Sequence, residues 1–434
     1  MTLRKHSPAF ALTLLFAVNF LNFFDRNLYG ALVEPIRHEW SLSDAQVGWL
    51  GTAFTLLYAV VGVPFGRLAD RWRRTWILSL GLAAWSLLTA ASGLAWNFFS
   101  FFVTRLSVGI GEASCAPAAN SLLADYFPAR RRGLAVSIFM LGLPLGLFTG
   151  TFFSGHIAAS YGWRAPFFIA CVPGLLLAGF VLLLAEPRRG SAESAPSPVV
   201  APAPAAISGS PYLRVLRIPA MRWIVLSGAL LNFNSYALAT FLPAFLMRYH
   251  GLPIARAAAI TAVVLGLTGL PGLLLGGWIS DVAHRWRTSG RLLLAAAALL
   301  LCAPLIYLSL LSPAGSVTLF AVLMAAGFLL SYIYYSGVYT AIQDIVPADL
   351  RGTAVALYFF GMYLLGGSFG PVVTGRLSDF FAHRAMNAAG ASAMTDSFRT
   401  AGLHSALFVI PLSALALAAV LLAAARSLPS DKPI

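Results

Sequence analysis

Asp25 and Arg26, and Arg105 and Glu112, stand inside apolar runs at 10–30 and 97–118. A charge at the centre of a bilayer costs about 3 kcal/mol or more, so it persists where it is paired, wetted or used. A carboxyl group in a low-dielectric site keeps its proton, and an adjacent guanidinium loosens it. A carboxylate whose arginine partner moves away is therefore a proton carrier, and the freed guanidinium can hold a carboxylate or phosphate through two parallel bonds. Arg105 and Glu112 are seven residues apart on a helix, so they share a face with Gly109 near it, about 10 Å apart at 1.5 Å per residue. That spacing brackets a cavity better than it makes a direct pair. Asp25 and Glu112 are the proton-coupling candidates, and Arg26 and Arg105 the anion-binding ones.

The elements that position these charges are membrane helices. The 434 residues are 59% hydrophobic and 10% charged, against about 25% charged in a soluble domain. Apolar runs long enough to cross about 30 Å of hydrocarbon fall at 8–30, 45–65, 76–95, 97–118, 133–156, 165–185, 221–246, 256–279, 291–311, 315–342, 352–375 and 402–425. Residues 186–211 break the pattern with a Pro/Ala/Ser stretch that reads as a flexible linker. The expected organisation is an N-terminal six-helix bundle at 1–185, a cytoplasmic linker at 186–220 and a C-terminal six-helix bundle at 221–434. The Arg4–Lys5 start resembles a signal peptide, but its apolar run is too long, has no small-residue cleavage site and contains Asp25, so it is the first span.

The net charge of +14 does not mark a nucleic-acid partner, because the basic residues lie in short segments between spans rather than in a basic domain. Arg71, Arg73 and Arg74, Arg130 to Arg132, and Arg285, Arg287 and Arg291 all fall on one side, which places both termini in the cytoplasm. The first span then runs outward and the fourth inward. Asp25 and Arg26 are expected in the outer half level with Arg105, and Glu112 deeper.

The two halves repeat. Gly66-Arg-Leu-Ala-Asp70-Arg71-Trp-Arg-Arg74 recurs as Gly277-Trp-Ile-Ser-Asp281-Val-Ala-His-Arg285 at an offset of 211 residues. Asp125-Tyr-Phe-Pro128-Ala-Arg-Arg-Arg132-Gly133 recurs as Asp344-Ile-Val-Pro347-Ala-Asp-Leu-Arg351-Gly352 at an offset of 219. This is the signature of duplicated, parallel halves. Gly66 allows close helix approach, and Asp70, Arg71, Arg74, Asp125, Arg132, Asp281, Asp344 and Arg351 are candidates for a cytoplasmic gate, since such residues can pair across a bundle and lock one face. The duplication sets Asp25 against Ser235, Arg26 against Tyr236, Glu112 against Ser331 and Arg105 against Met324. Proton chemistry is thus expected in the N-terminal half. Asn232, Asn234, Ser235, Tyr236, Ser331, Tyr332, Tyr335 and Tyr339 offer a polar-aromatic substrate surface in the other half.

GRLADRWRR resembles the loop two–three signature of the major facilitator superfamily, with Arg73 in place of its second glycine. Asn22-Phe-Phe-Asp25-Arg26, the stretch from Arg105 through Gly109, Gly111 and Glu112 to Ser114, and Leu143-Pro144-Leu-Gly146 resemble its Spinster-like branch. The anion:cation symporter branch has a similar Asp-Arg in span one and a similar arginine-to-glutamate spacing in span four. The resemblance implies an all-α integral membrane fold of 12 helices in two pseudo-symmetric halves, with spans one, four, seven and ten lining the cavity. It also implies a proton-coupled carrier working by alternating access. A Spinster-like substrate is an amphipathic lipid such as a lysophospholipid or sphingoid phosphate, whereas the rival branch moves small organic anions. The aromatic C-terminal surface leans toward a substrate with an apolar tail.

Other classes find little support. No GxxxxGK[ST] loop is present, which argues against an ATP-driven pump. No Ser/His/Asp arrangement or metal-ligand spacing supports an enzyme, and Cys115, Cys171 and Cys302 form neither a disulfide framework nor a metal site. A channel or scramblase fits the twofold repeat and the carboxylate–arginine sets less well than a carrier. No cofactor is expected. The expected partners are protons, a small-molecule or lipid substrate and membrane lipids, for a monomer in a bacterial inner membrane.

Overall fold

The computed structural model describes residues 7–189, 191, 210–347 and 350–428, without the side chains at 59, 63, 66, 67, 69, 70, 129 and 130. Most of the linker, 192–209, lies outside the described residues. The described chain is helical throughout. In order the helices are α1 Pro8–Trp40, α2 Asp44–Arg71, α3 Arg74–Gly93, α4 Phe98–Glu112, α5 Cys115–Tyr126, α6 Ala129–Met140, α7 Gly142–Tyr161 and α8 Ala165–Leu182. After the linker come α9 Pro211–Arg217, α10 Pro219–Arg248, α11 Ile254–Ala262, α12 Gly269–Trp286, α13 Gly290–Leu310, α14 Val317–Ile345, α15 Arg351–Phe360, α16 Phe369–Ala388, α17 Asp396–Leu407 and α18 Val409–Arg426. Two π-helical segments, Val263–Leu267 and Gly361–Gly367, join α11 to α12 and α15 to α16.

Eleven of the resulting helical runs among the described residues are long and apolar enough to cross a membrane. The fourth expected span is missing from that set because its helix is broken. Pro117 has no N–H to give the Ala113 carbonyl, and the chain turns at Ala113–Ser114, leaving α4 and α5 as two short helices. The break follows Glu112 directly. Ser114 Oγ donates to the Gly111 carbonyl at 2.7 Å and satisfies one of the backbone groups left open.

The first span is longer than the 8–30 expected from its sequence, since α1 runs to Trp40 through Glu34, Pro35 and Arg37. Asp25 and Arg26 therefore sit mid-helix rather than near an outer end.

The chain divides into two compact units, 1–28 with 53–208 and 29–52 with 209–434. The core of the first is built from α1, α3, α5 and α8, around Leu15, Val18, Leu78, Leu82, Trp85 and Val181. On α7, Gly142, Gly146 and Gly150 rest against the α1 backbone at Asn19–Phe20, Phe20–Phe24 and Phe24. With hydrocarbon outside, close backbone contact of this kind supplies the packing energy that the hydrophobic effect supplies in water. The second unit packs α10, α13, α14, α15 and α18 around Leu299, Tyr334, Tyr358 and Leu421. It also contains the hairpin made by the last turns of α1 and the first turns of α2.

Candidate functional site

In the first unit α1 presents Asn22 and Arg26, four residues apart and so on one helix face, to the last residue of α4. Asn22 Nδ2 donates to Glu112 Oε2 at 2.9 Å and Arg26 Nε donates to the same oxygen at 2.8 Å. Glu112 Oε1 has no hydrogen-bond partner. The Arg26 guanidinium also lies over three rings, 4.9 Å from the centroid of Phe23, 4.8 Å from Phe54 and 4.3 Å from Tyr58. Glu112 thus meets α1 at Asn22, one turn before Arg26, as well as Arg26 itself. The long arginine side chain reaches the end of α4 and forms the ion pair.

Asp25 turns a quarter of the way round α1 from Arg26 and faces α3. Trp85 Nε1 donates to Asp25 Oδ2 at 3.1 Å, while Oδ1 has no partner. Arg105 of α4 approaches the Asp25 backbone carbonyl, Nη2 to O at 3.4 Å. Asp25 and Glu112 are fully buried and Arg105 is 2% exposed. All four charges are thus brought together, with Trp85 and Asn22 as neutral donors. A side chain at Gly109 would come within 2.5 Å of the Phe54 carbonyl, so glycine lets α4 and α2 approach beside Arg26.

In the second unit the candidate surface separates into parts. Tyr335 and Tyr339 stack at 6.0 Å and 15°, Tyr339 packs on Phe359, Phe359 stacks on Tyr363 at 6.3 Å, and Tyr363 meets Tyr236 edge-on. This makes a half-buried aromatic ladder from α14 through the π segment to α10. Asn232 Nδ2 and Asn234 Oδ1 are buried without partners. Ser235 and Ser331 bond back to the Leu231 and Phe328 carbonyls of their own helices. Tyr332 packs on Tyr335 of the ladder, with ring centroids 5.8 Å apart. It is 7% exposed, and its hydroxyl donates at 2.5 Å to the Leu265 carbonyl inside the first π segment.

Behind the ladder, Ser227 Oγ lies 2.7 Å from Tyr334 Oη, and Tyr358 Oη donates to Tyr334 Oη at 3.1 Å. The sequence reading missed Phe359 and Tyr363, although Tyr358, Phe359, Phe360 and Tyr363 form an aromatic cluster in span eleven.

The candidate gate residues pair within units. In the first, the buried Arg74 binds Asp125 and, at 2.7 Å, Glu186. Glu186 accepts from the backbone amides of Arg74 and Thr75, at 3.2 and 3.0 Å, and so caps α3. Burial opposes ionisation of the Glu186 carboxyl, but the Thr75 amide and hydroxyl and the Arg74 guanidinium outweigh it and hold the group below its ordinary value. In the second unit Arg291 binds Asp344 and Asp281, repeating the Arg74–Asp125 pair. Arg132 and Arg351 donate to the Phe127 and Val346 carbonyls, which are also duplicated positions. Arg71 is exposed. The surroundings of Gly66 and the Asp70 side chain lie outside what is described.

A further charged cluster, absent from the sequence-derived candidates, sits at the α1–α2 hairpin in the second unit. Arg248 makes two bonds to Asp44, 2.9 and 2.8 Å, and one of 2.8 Å to Glu34. Ser378 donates to Asp44 at 2.6 Å, and Asp379 accepts from the backbone amides of Asp44 and Ala45 at 3.0 and 2.8 Å. Arg37 joins Glu34 to Asp396. The sequence signal was the Glu34–Arg37 spacing, read as lying beyond the span because the helix was ended at Gly30.

The chain matches the Major Facilitator Superfamily over residues 15–371. It is 31% identical over 379 residues to an MFS-type efflux pump of Mycolicibacterium smegmatis, covering 86% of each chain. It is 30% identical over 398 residues to the protein spinster homolog 1 of Rattus norvegicus, covering 87% of this chain and 74% of the relative. Among solved structures, a bacterial homolog of the human lysosomal transporter Spinster, inward-facing and unoccupied, superposes with a TM-score of 0.86 at 27% identity, over 97% of both chains. The chain belongs to the Major Facilitator Superfamily and within it is Spinster-like. It is a membrane transporter with the twelve-helix fold of that superfamily, and not an enzyme.

Proposed function

We propose that this protein is a proton-coupled secondary transporter that moves an anionic or zwitterionic amphipathic lipid, such as a lysophospholipid or sphingoid phosphate, by alternating access. The observation that carries the reading is the double environment of Arg26. Its guanidinium is shared between the Glu112 carboxylate and the rings of Phe23, Phe54 and Tyr58. When a buried pair loses one charge, the other is normally stranded at a cost of about 3–5 kcal/mol. Here the aromatic box gives the cation a second home, so Glu112 can take up a proton and Arg26 can turn to a head group. Asp25, buried beside it with one free oxygen, is the second proton carrier, and Arg105 the second head-group residue.

Tyr236, Tyr335 and Tyr339 form a surface for the apolar tail, with Asn232, Asn234, Ser235 and Ser331 supplying the polar contacts of that unit. Tyr332 serves by holding the π segment. The arginine-rich segments support cytoplasmic termini and a bacterial inner membrane. The Arg74–Asp125 and Arg291–Asp344 clusters are then cytoplasmic gate elements, and the Glu34–Asp44–Arg248 cluster belongs to the outer side.

The test is transport in proteoliposomes under an imposed proton gradient, with a labelled lysophospholipid and with small carboxylates. Wild type should accumulate the lysophospholipid, and Asp25→Asn and Glu112→Gln should lose gradient-driven uptake. Full gradient-driven transport by both variants refutes the coupling. Uptake of carboxylates without the lipid refutes the substrate class in favour of small organic anions.

A further inference from the structure

Asp25 is joined by two more unsatisfied polar groups on the helix that holds it. Ser86 Oγ and Thr89 Oγ1 of α3 are fully buried and, like Asp25 Oδ1, have no hydrogen-bond partner in the protein. Neither hydroxyl bonds back to its own helix, as Ser92 bonds to the Leu88 carbonyl. Ser86 and Thr89 follow Trp85, the donor to Asp25, by one and four residues. Thr89 therefore stands one turn beyond Trp85 on its side of α3, about 6 Å further toward the Gly93 end, and Ser86, three residues before Thr89, neighbours it on the helix surface.

The third wall is α8. A side chain at Gly174 would collide with Ser86 Oγ and touch Leu21 of α1, so α1, α3 and α8 meet at this level. Cys171, buried on the same helix, lies one turn before Gly174. Buried polar atoms are satisfied by protein or by internal water, and a water in such a place typically makes two to four bonds. Three such atoms on one seam are a site for water.

The duplicated half sharpens this. Arg74 and Arg291 make equivalent ion pairs with Asp125 and Asp344, which aligns α3 with α13 at an offset of 217 residues. Trp85, Ser86 and Thr89 then correspond to Cys302, Ala303 and Ile306. The polar row exists only in the half that carries the buried carboxylates.

We propose that the α1–α3–α8 seam is a proton path, in which internal water held by Asp25, Ser86 and Thr89 links the Asp25 carboxyl to the Gly93 end of α3. The path runs behind α1, away from the face that carries Asn22 and Arg26. Protons therefore reach Asp25 without passing through the Arg26–Glu112 pair. The charged and titratable groups around the seam are Asp25 of α1, Arg105 and Glu112 of α4 and Cys171 of α8. Each proton moves by hydroxyl and water exchange, with no net bond made or broken beyond the proton on Asp25. The proposal rests on Asp25 being a proton carrier.

Two measurements in proteoliposomes separate the ideas. Proton uptake coupled to a labelled lysophospholipid is followed with an entrapped pH dye, and exchange of the same probe without a gradient is followed as a control. Ser86→Ala combined with Thr89→Val should slow coupled proton uptake about tenfold, the scale of losing hydrogen bonds to a buried charge, and leave gradient-free exchange intact. Thr89→Ser, which keeps the hydroxyl, should restore it. Unchanged proton uptake in the double variant overturns the path. If the double variant does not fold, Ser86→Ala alone decides by the same criterion. Retained coupling in Asp25→Asn alone would remove the premise of the path and overturn it, whereas retained coupling in both Asp25→Asn and Glu112→Gln would refute the proposed function itself.

Discussion

Replacing Asp44 by asparagine removes the centre of the charged hairpin cluster while keeping its shape. The Asp44 carboxylate, 1% exposed, accepts two bonds from Arg248 and one from Ser378. Removing one partner of a buried pair costs about 3–5 kcal/mol, because the remaining charge stays buried without its partner. Arg248 keeps Glu34, bonded at 2.8 Å, so the lower end of that range, about 3 kcal/mol, applies. At about 1.4 kcal/mol per tenfold, this is about a hundredfold in the equilibrium between the docked and released hairpin. The amides of Asp44 and Ala45, bonded to Asp379, report that equilibrium directly. Hydrogen exchange in detergent micelles should show their protection falling about a hundredfold, with α13 and α18 unchanged. Asp44→Asn with Arg248→Gln should recover most of it, since no unpaired charge is left. A change below threefold at Asp44 and Ala45, or equal loss across α13 and α18, would refute the argument that this cluster is a local lock.

Glu112→Gln should lower the thermal stability of the first unit by about 1–3 kcal/mol rather than the full cost of a stranded charge, because the aromatic box still holds Arg26. Thermal unfolding of Glu112→Gln against Arg26→Gln, where Glu112 is stranded instead, should show the second to be the more damaging. Glu186→Gln should destabilise the capped end of α3 by about 1 kcal/mol. The Glu186 carboxyl is held below its ordinary value, so its contribution is present above the unfolded-state value near 4.3 and lost as pH falls through the folded-state value. Wild type and variant should therefore differ in melting temperature at pH 7 and converge in acid. Tyr335→Ala with Tyr339→Ala should raise the KM for a labelled lysophospholipid severalfold, whereas Tyr334→Phe should leave it unchanged. Tyr334→Phe removes a hydroxyl bonded within the core to Ser227 and Tyr358 and should cost about 1 kcal/mol.

Much of the fold could be read from the chain because membrane helices leave strong marks: long apolar runs, arginine-rich connections and a repeat. The departures occur where a polar group is satisfied by something distant in sequence. The apolar run at 8–30 stops short of Glu34 and Arg37, whose place in α1 is made tolerable by their own pair and by Arg248 and Asp396. Span four was taken as one helix because apolarity does not register a missing backbone bond, although Pro117 signals it. Asp25 and Glu112 stood out by cost alone. Their donors Trp85 and Asn22 did not, since an indole or an amide in an apolar run carries no comparable penalty until its partner is known.

The duplication explains why the two units share irregular backbone near their candidate residues but not the charges. In the first unit the irregularity is a helix break directly after Glu112, between α4 and α5. In the second unit it is a pair of π segments, one stapled by Tyr332 through the Leu265 carbonyl and the other carrying Tyr363. Irregular backbone at membrane depth is tolerated where protein groups or a wet cavity satisfy it, and π segments frequently mark functional sites. Each unit has thus given up regular hydrogen bonding near its candidate residues, while only the first has kept the carboxylates, the arginines and the Ser86–Thr89 row. On the proposed function the first copy carries the proton, and a charge at Ser235 or Ser331 would add desolvation cost without a partner. The second copy was free to fill those levels with aromatic surface, the composition an apolar tail requires.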